Sequence, residues 1–195
     1  LACTDRRKGF DQYTNLFQMM NGELCWSDTS QMSTYYKGYR EFINAKLETV
    51  TPVSLMLSEL YTPREKLPEF MSTISEVLLA GGIPNIYGTI RLIEQDDGTY
   101  LPWANENFAC VIVNLLVTNT EAGIEKAKDT FRKLIDVAIE FDGSYYLTYH
   151  KWARKDQVLA CYPQMASFLK KKLEYDPNGL FQSDWYRHNR ELIPS

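Results

Sequence analysis

The sequence predicts an α+β fold: a ferredoxin-like antiparallel sheet, βαββαβ in chain order, with helices on one face and a C-terminal helix and tail appended. Three observations lead there. Between residues 53 and 152, strand-like and helix-like segments follow one another as strand, helix, strand, strand, helix, strand. Both helical segments carry apolar residues at spacings of three and four, so each has one face to bury. The third strand, "NFACVIVNLLVTN", is apolar enough to lie in the middle of a sheet.

Each element has its own grounds. Residues 1–52 are polar and irregular, a lead-in segment with turn signals at Gly9, Asn21-Gly22 and Gly38. Asn21-Gly22, between two apolar stretches, has the form of a hairpin turn. "VSLMLSELY" reads as the first strand, closed by Pro63. "PREKLPEFMSTISEVLLAGG" reads as a helix with Leu67, Phe70, Met71, Ile74, Val77 and Leu78 on its apolar face, stopped by Gly81-Gly82. "PNIYGTIRLIEQ" is the second strand and "DDGTYLPWANE" a loop. "TEAGIEKAKDTFRKLIDVAIEF" is the strongest helix, with Ile124, Ala127, Phe131, Leu134, Ile135 and Ala138 aligned. Asp142-Gly143 turns it into "SYYLTYHKW", predicted as a fourth strand over 144–152. Residues 153–195 then form a helix that kinks or breaks at Pro163, and a turn-rich aromatic tail.

Composition limits the partners. The chain has 195 residues, 45% hydrophobic and 24% charged, enough for one sizeable core. A net charge of −4 disfavours nucleic acid and anionic membrane, both of which call for a basic excess. No apolar run approaches the roughly 20 residues of a membrane span. Cys3, Cys25, Cys110 and Cys161 are far apart and form no CxxC pair, which points to reduced thiols in a cytoplasmic protein rather than to zinc.

Chemistry-bearing motifs are few. There is no GxGxxG, GxxxxGK[ST] or GxSxG, and His150 and His188 lack metal-ligand spacing. Charges inside strands are more informative. Glu59 and Arg91 either decorate a solvent-facing sheet surface or line a cleft under a covering partner. Asn114, inside an apolar strand, needs a polar companion if buried. In "SYYLTYHKW", strict alternation sends Tyr145, Leu147 and Tyr149 one way and Tyr146, Thr148 and His150 the other. The stretch is either a core strand or the wall of a site.

"MLSELYTPREKLPEFM", "IYGTIRLIE", "GSYYLTYHKWA" and "YDPNGLFQSDWYRH" resemble the C-terminal half of FAD-linked oxidases of the vanillyl-alcohol oxidase superfamily, from about residue 24 to the end. The resemblance implies that 53–152 is a cap domain holding the substrate over a flavin, and that the tail packs back toward an FAD domain. The FAD domain would precede this chain, which begins without methionine. Arg91 matches a substrate-side arginine of alditol oxidases, whose nearby glutamate is Thr89 here. Glu59 falls where the decaprenylphosphoryl-ribose oxidase has a substrate-facing glutamine, and Tyr146 matches a site tyrosine. The family's active-site lysine is replaced by Tyr149, beside His150 and Lys151.

The expected function is therefore the cap and C-terminal part of an FAD-dependent oxidoreductase that oxidises an alcohol-like small molecule, a sugar or polyol included, by hydride transfer to flavin. Tyr149, His150 and Arg91 are the candidate catalytic residues; Glu59, Tyr146, Thr89 and Asn114 are the candidate substrate contacts. The rival expectation is a stand-alone module that binds a ligand or partner through its open sheet face, without catalysis.

Overall fold

The computed structural model describes residues 51–194, with Gln18 alone before them. The turn predicted at Asn21-Gly22, and Cys3 and Cys25, lie outside the described residues. Four strands and five α-helices follow in order: β1 (Val53–Pro63), α1 (Leu67–Gly81), β2 (Asn85–Ile93), β3 (Phe108–Thr118), α2 (Glu121–Glu140), β4 (Ser144–Tyr145), α3 (Lys155–Cys161), α4 (Met165–Tyr175) and α5 (Asp184–Leu192). The sheet order is β2-β3-β1-β4, and every neighbouring pair is antiparallel. This is the ferredoxin-like arrangement that the sequence predicts.

Local chemistry sets the boundaries. Pro68 stands in the first turn of α1, where a missing N–H loses no helical bond. Gly82 ends that helix with φ of 57°, a left-handed conformation that glycine adopts without strain. Thr120 caps α2, its hydroxyl accepting from the Gly123 N–H at 3.1 Å.

Alternation along β1 and β3 sorts their side chains to two faces. Leu60, Val111, Val113, Leu115 and Val117 pack with Phe70 and Ile74 of α1 and with Phe131, Leu134 and Ile135 of α2. Tyr162, Met165 and Leu169, from the C-terminal segment, join the same core. On the other face, Tyr61, Phe108, Cys110 and Ile112 cluster with Ala104 from the β2–β3 loop. Arg91 pairs with Cys110 in the ladder and so belongs to this second face, which neither α1 nor α2 covers. Thr51 to Ser195 form one compact unit, tail included.

Two predicted elements need correction. The fourth strand does not run from 144 to 152. Only Ser144 and Tyr145 pair with β1, and the chain turns at Leu147-Thr148. Side chains replace the ladder beyond that point. Tyr162 donates its hydroxyl to the Tyr145 carbonyl, Trp185 Nε1 donates to the Leu147 carbonyl at 3.1 Å, and Arg132 Nε to the Trp152 carbonyl at 2.7 Å. Carbonyls already satisfied by side chains have no need of a strand partner. The tail, in turn, is not merely turn-rich. It holds α5, capped by Ser183, whose hydroxyl accepts from the Tyr186 N–H at 3.1 Å. The break at Pro163 occurs as predicted, between α3 and α4.

The α2–β4 corner is tight. Asp142 has a φ of 58°, and Gly143 N–H donates to the Ala138 carbonyl at 2.7 Å. A Cβ at Gly143 would fall inside the Tyr61 carbonyl oxygen and 3.0 Å from the Ala138 carbonyl oxygen.

Candidate functional site

Among the described residues no helix covers this second face, the helix-free face, and its side chains stand in rows set by register. Thr89, Ile112 and Glu59 make one row, and Arg91, Cys110 and Tyr61 the next. Glu59 is the hub. One carboxylate oxygen accepts from Tyr61 OH at 3.0 Å and from Cys110 Sγ at 3.1 Å; the other accepts from Tyr149 OH at 3.1 Å. Three side chains from three elements thus converge on one half-buried carboxylate.

Aromatic rings wall this group. Tyr146 packs edge-on against Tyr149, with ring centroids 4.9 Å apart, and edge-on against Trp103. Trp103 in turn lies 5.4 Å from the Tyr61 ring. The β2–β3 loop that carries Trp103 is tied down by the Asp96 N–H, which donates to the Ala104 carbonyl at 2.8 Å. The main chain adds a further link, because Tyr146 N–H donates to the Glu59 carbonyl at 2.9 Å.

Burial and charge fix the protonation states. Burial first, and then the Glu59 carboxylate, push the Tyr149 phenol up to about 12, with Arg91 pulling the other way. The same two causes raise Tyr61 and Cys110 further, again with burial the larger. All three groups therefore stay protonated near neutral pH and act as donors. Cys110, fully buried and far from the thiolate range, is not a nucleophile. Glu59 is the acceptor they share.

The structure brings most of the sequence-predicted residues onto this face. Glu59, Tyr146 and Tyr149 are in contact, and Arg91 and Thr89 stand on the exposed edge strand beside them. Asn114 lies on the same face, farther along β3 and level with Leu57. It is buried, and its side-chain oxygen has no hydrogen-bond partner among the described residues.

His150 goes elsewhere. Its ring centroid lies 4.4 Å from Phe131 of α2 and 5.4 Å from Trp152, on the helix-covered side. It lines a small pocket with Lys151, Trp185, His188 and Asn189. The alternation assumed for a continuous strand fails because the strand ends at Tyr145. Tyr61 and Trp103 escaped the sequence reading, and Cys110 entered it only as a reduced thiol. Parity could have found Tyr61, two residues from Glu59 on the same strand.

Burial lowers His150 to about 4, which makes stability pH-dependent. Between the ordinary value of 6.5 and about 4, the unfolded chain binds a proton that the folded chain refuses. Stability is therefore complete above pH 6.5 and falls as the pH drops through that window, by roughly 3 kcal/mol in all. Urea unfolding at pH 7 and pH 4 checks this. His150→Gln should show a fall smaller by about that amount, and an equal fall in both chains would refute it.

No family model matches the chain, and no curated protein matches it either. Among the described residues, no helix is long and apolar enough to cross a membrane.

Proposed function

We propose that this chain is the substrate-holding part of an FAD-dependent oxidoreductase that acts on a hydroxylated small molecule. The observation that carries the reading is the Glu59 carboxylate, which gathers Tyr61, Cys110 and Tyr149 on the helix-free face beside Arg91. Oxidation of an alcohol needs an acceptor for the hydroxyl proton, and a carboxylate meets that need. Glu59 takes the proton directly. Arg91 holds the substrate oxygen by charge-assisted hydrogen bonding. Tyr149 stays protonated and donates. His150, on the other side of the sheet, has no part in the step.

The residues present fit such a cofactor in one respect only. The face offers aromatic walls, Tyr146 and Trp103, for a flat ring, but no glycine-rich phosphate loop for a pyrophosphate. An FAD domain outside this chain would hold the nucleotide. FAD, when bound, supplies the hydride acceptor. The same reading places the enzyme in the cytoplasm, where the free, buried thiols of Cys110 and Cys161 stay reduced.

A second reading has its own support. Tyr61, Tyr149 and Cys110 are all pushed away from neutrality, so the face donates hydrogen bonds well and transfers protons poorly. That suits a module that binds a ligand without turning it over.

The intact gene product decides between them. The expected result is a yellow protein whose flavin bleaches anaerobically on addition of a polyol or sugar, while residues 1–195 alone stay colourless. A colourless intact product that binds hydroxylated ligands would overturn the enzyme reading in favour of the second.

A further inference from the structure

The segment after β4 joins two environments that the sheet otherwise separates. Tyr149 reaches Glu59 on the open face at 3.1 Å, and the next residue, His150, packs against the touching rings of Phe131 and Trp152 on the helix-covered side. Little ladder holds this segment, because pairing with β1 ends at Tyr145. A change at His150 therefore has a short route to Tyr149.

The surroundings of His150 favour the neutral ring. Its Nδ1 is placed to accept from the Trp152 N–H at 3.4 Å, a bond that a proton on that nitrogen would abolish. The titratable groups lining its pocket are the Tyr145 phenol of β4, Lys151 from its own segment, and His188 of α5. From the other packed elements come Phe131 of α2 and Val158 of α3, neither of them charged. The Arg132 guanidinium on α2 is occupied with the Trp152 carbonyl. Asp184 and Glu191 of α5 act on Lys151 and on His188 respectively, and neither lines the pocket. Among the described residues no carboxylate lines that pocket, so an imidazolium there would have no counter-charge. The faces of Phe131 and Trp152 attract a cation, which opposes release.

We propose that His150 is an acid-sensitive latch on the open-face cluster: protonation drives its ring off Phe131 and Trp152, and the adjoining Tyr149 hydroxyl leaves Glu59. The lowered pKa of His150, due to burial, agrees, since burial outweighs the attraction of the ring faces. The latch rests on the Tyr149–Glu59 contact alone and needs no substrate or flavin. It therefore stands or falls separately from the oxidoreductase reading.

NMR of the full chain tests it, with histidine and tyrosine rings labelled and Tyr149 assigned through Tyr149→Phe. Between pH 7.5 and 3.5, the Tyr149 signals should shift with the same midpoint as the His150 ring, near 4, while far-UV circular dichroism stays constant. In His150→Gln the Tyr149 transition should vanish. In Lys151→Gln, which removes the cation lining the pocket, the two midpoints should stay coincident. Three results overturn the latch: a Tyr149 transition unchanged in His150→Gln, a His150 titration that leaves Tyr149 still, or loss of circular dichroism at the same midpoint. Should His150→Gln fail to fold, separation of the two midpoints in Lys151→Gln would overturn it equally.

Discussion

Gly143→Ala is expected to destabilise the chain by more than about 4 kcal/mol, beyond the usual range for one substitution. A Cβ at this position would overlap the Tyr61 carbonyl oxygen and crowd the Ala138 carbonyl oxygen, and both obstacles are main chain rather than yielding side chain. Relief means pulling β4 away from β1. That ladder is only Leu60–Tyr145 and Tyr61–Ser144, so there is little pairing left to hold it. Moving Tyr61 also disturbs its bond to Glu59, so the corner and the candidate site fail together. Gly98→Ala is the control, because its Cβ would meet nothing nearer than Asp96 Oδ1 at 3.6 Å. For a chain of this size, 1 kcal/mol moves the melting temperature by roughly 2–4 °C. A Gly143→Ala chain that melts within about 4 °C of the parent would contradict the argument.

Glu59→Gln in the intact enzyme is expected to slow flavin reduction by about 10²–10⁴, the usual penalty for losing a proton acceptor. Glutamine keeps the shape and one acceptor oxygen but cannot take the hydroxyl proton. Tyr149→Phe removes a single donor, worth about 0.5–1.5 kcal/mol, or up to roughly tenfold in rate. The order of the two effects is the informative result. Stopped-flow reduction beside a thermal melt gives both rate and fold. If Tyr149→Phe proves the slower variant, the proton passes to the phenol and the role assigned to Glu59 is wrong. Equal rates in both variants and the parent would return the whole cluster to a packing role.

The particular residues show why some of this was legible in the sequence and some was not. The α2 segment is long and strongly periodic, and its buried face follows from period alone. β3 is apolar almost throughout, which marks it as central in the sheet but leaves open that Val111, Val113, Leu115 and Val117 face the helices and Cys110, Ile112 and Asn114 the other side. The end of β4 is different. No glycine, proline or asparagine marks the turn at Leu147-Thr148, and the aromatic and β-branched content continues to Trp152. What ends the strand is tertiary: donors from Tyr162, Trp185 and Arg132, residues distant in sequence, take its carbonyls. His150 was misplaced for that reason, since alternation says nothing once a ladder stops. The α5 start was legible in principle, because Ser183 followed by Asp184 is a capping signal.

The central place of β3 also has a consequence in time. During synthesis its apolar row emerges before α2, which must cover it. At 5–20 residues per second, the ribosome needs on the order of one to four seconds to add that helix. Throughout that interval "CVIVNLLV", a segment of high β-propensity, lacks the helix that covers it and has only β1 and β2 to pair with. Asn114 breaks the run at its middle. Its buried oxygen, without a partner among the described residues, costs the finished core, yet a polar group at the middle of such a run also opposes self-association of the nascent strand.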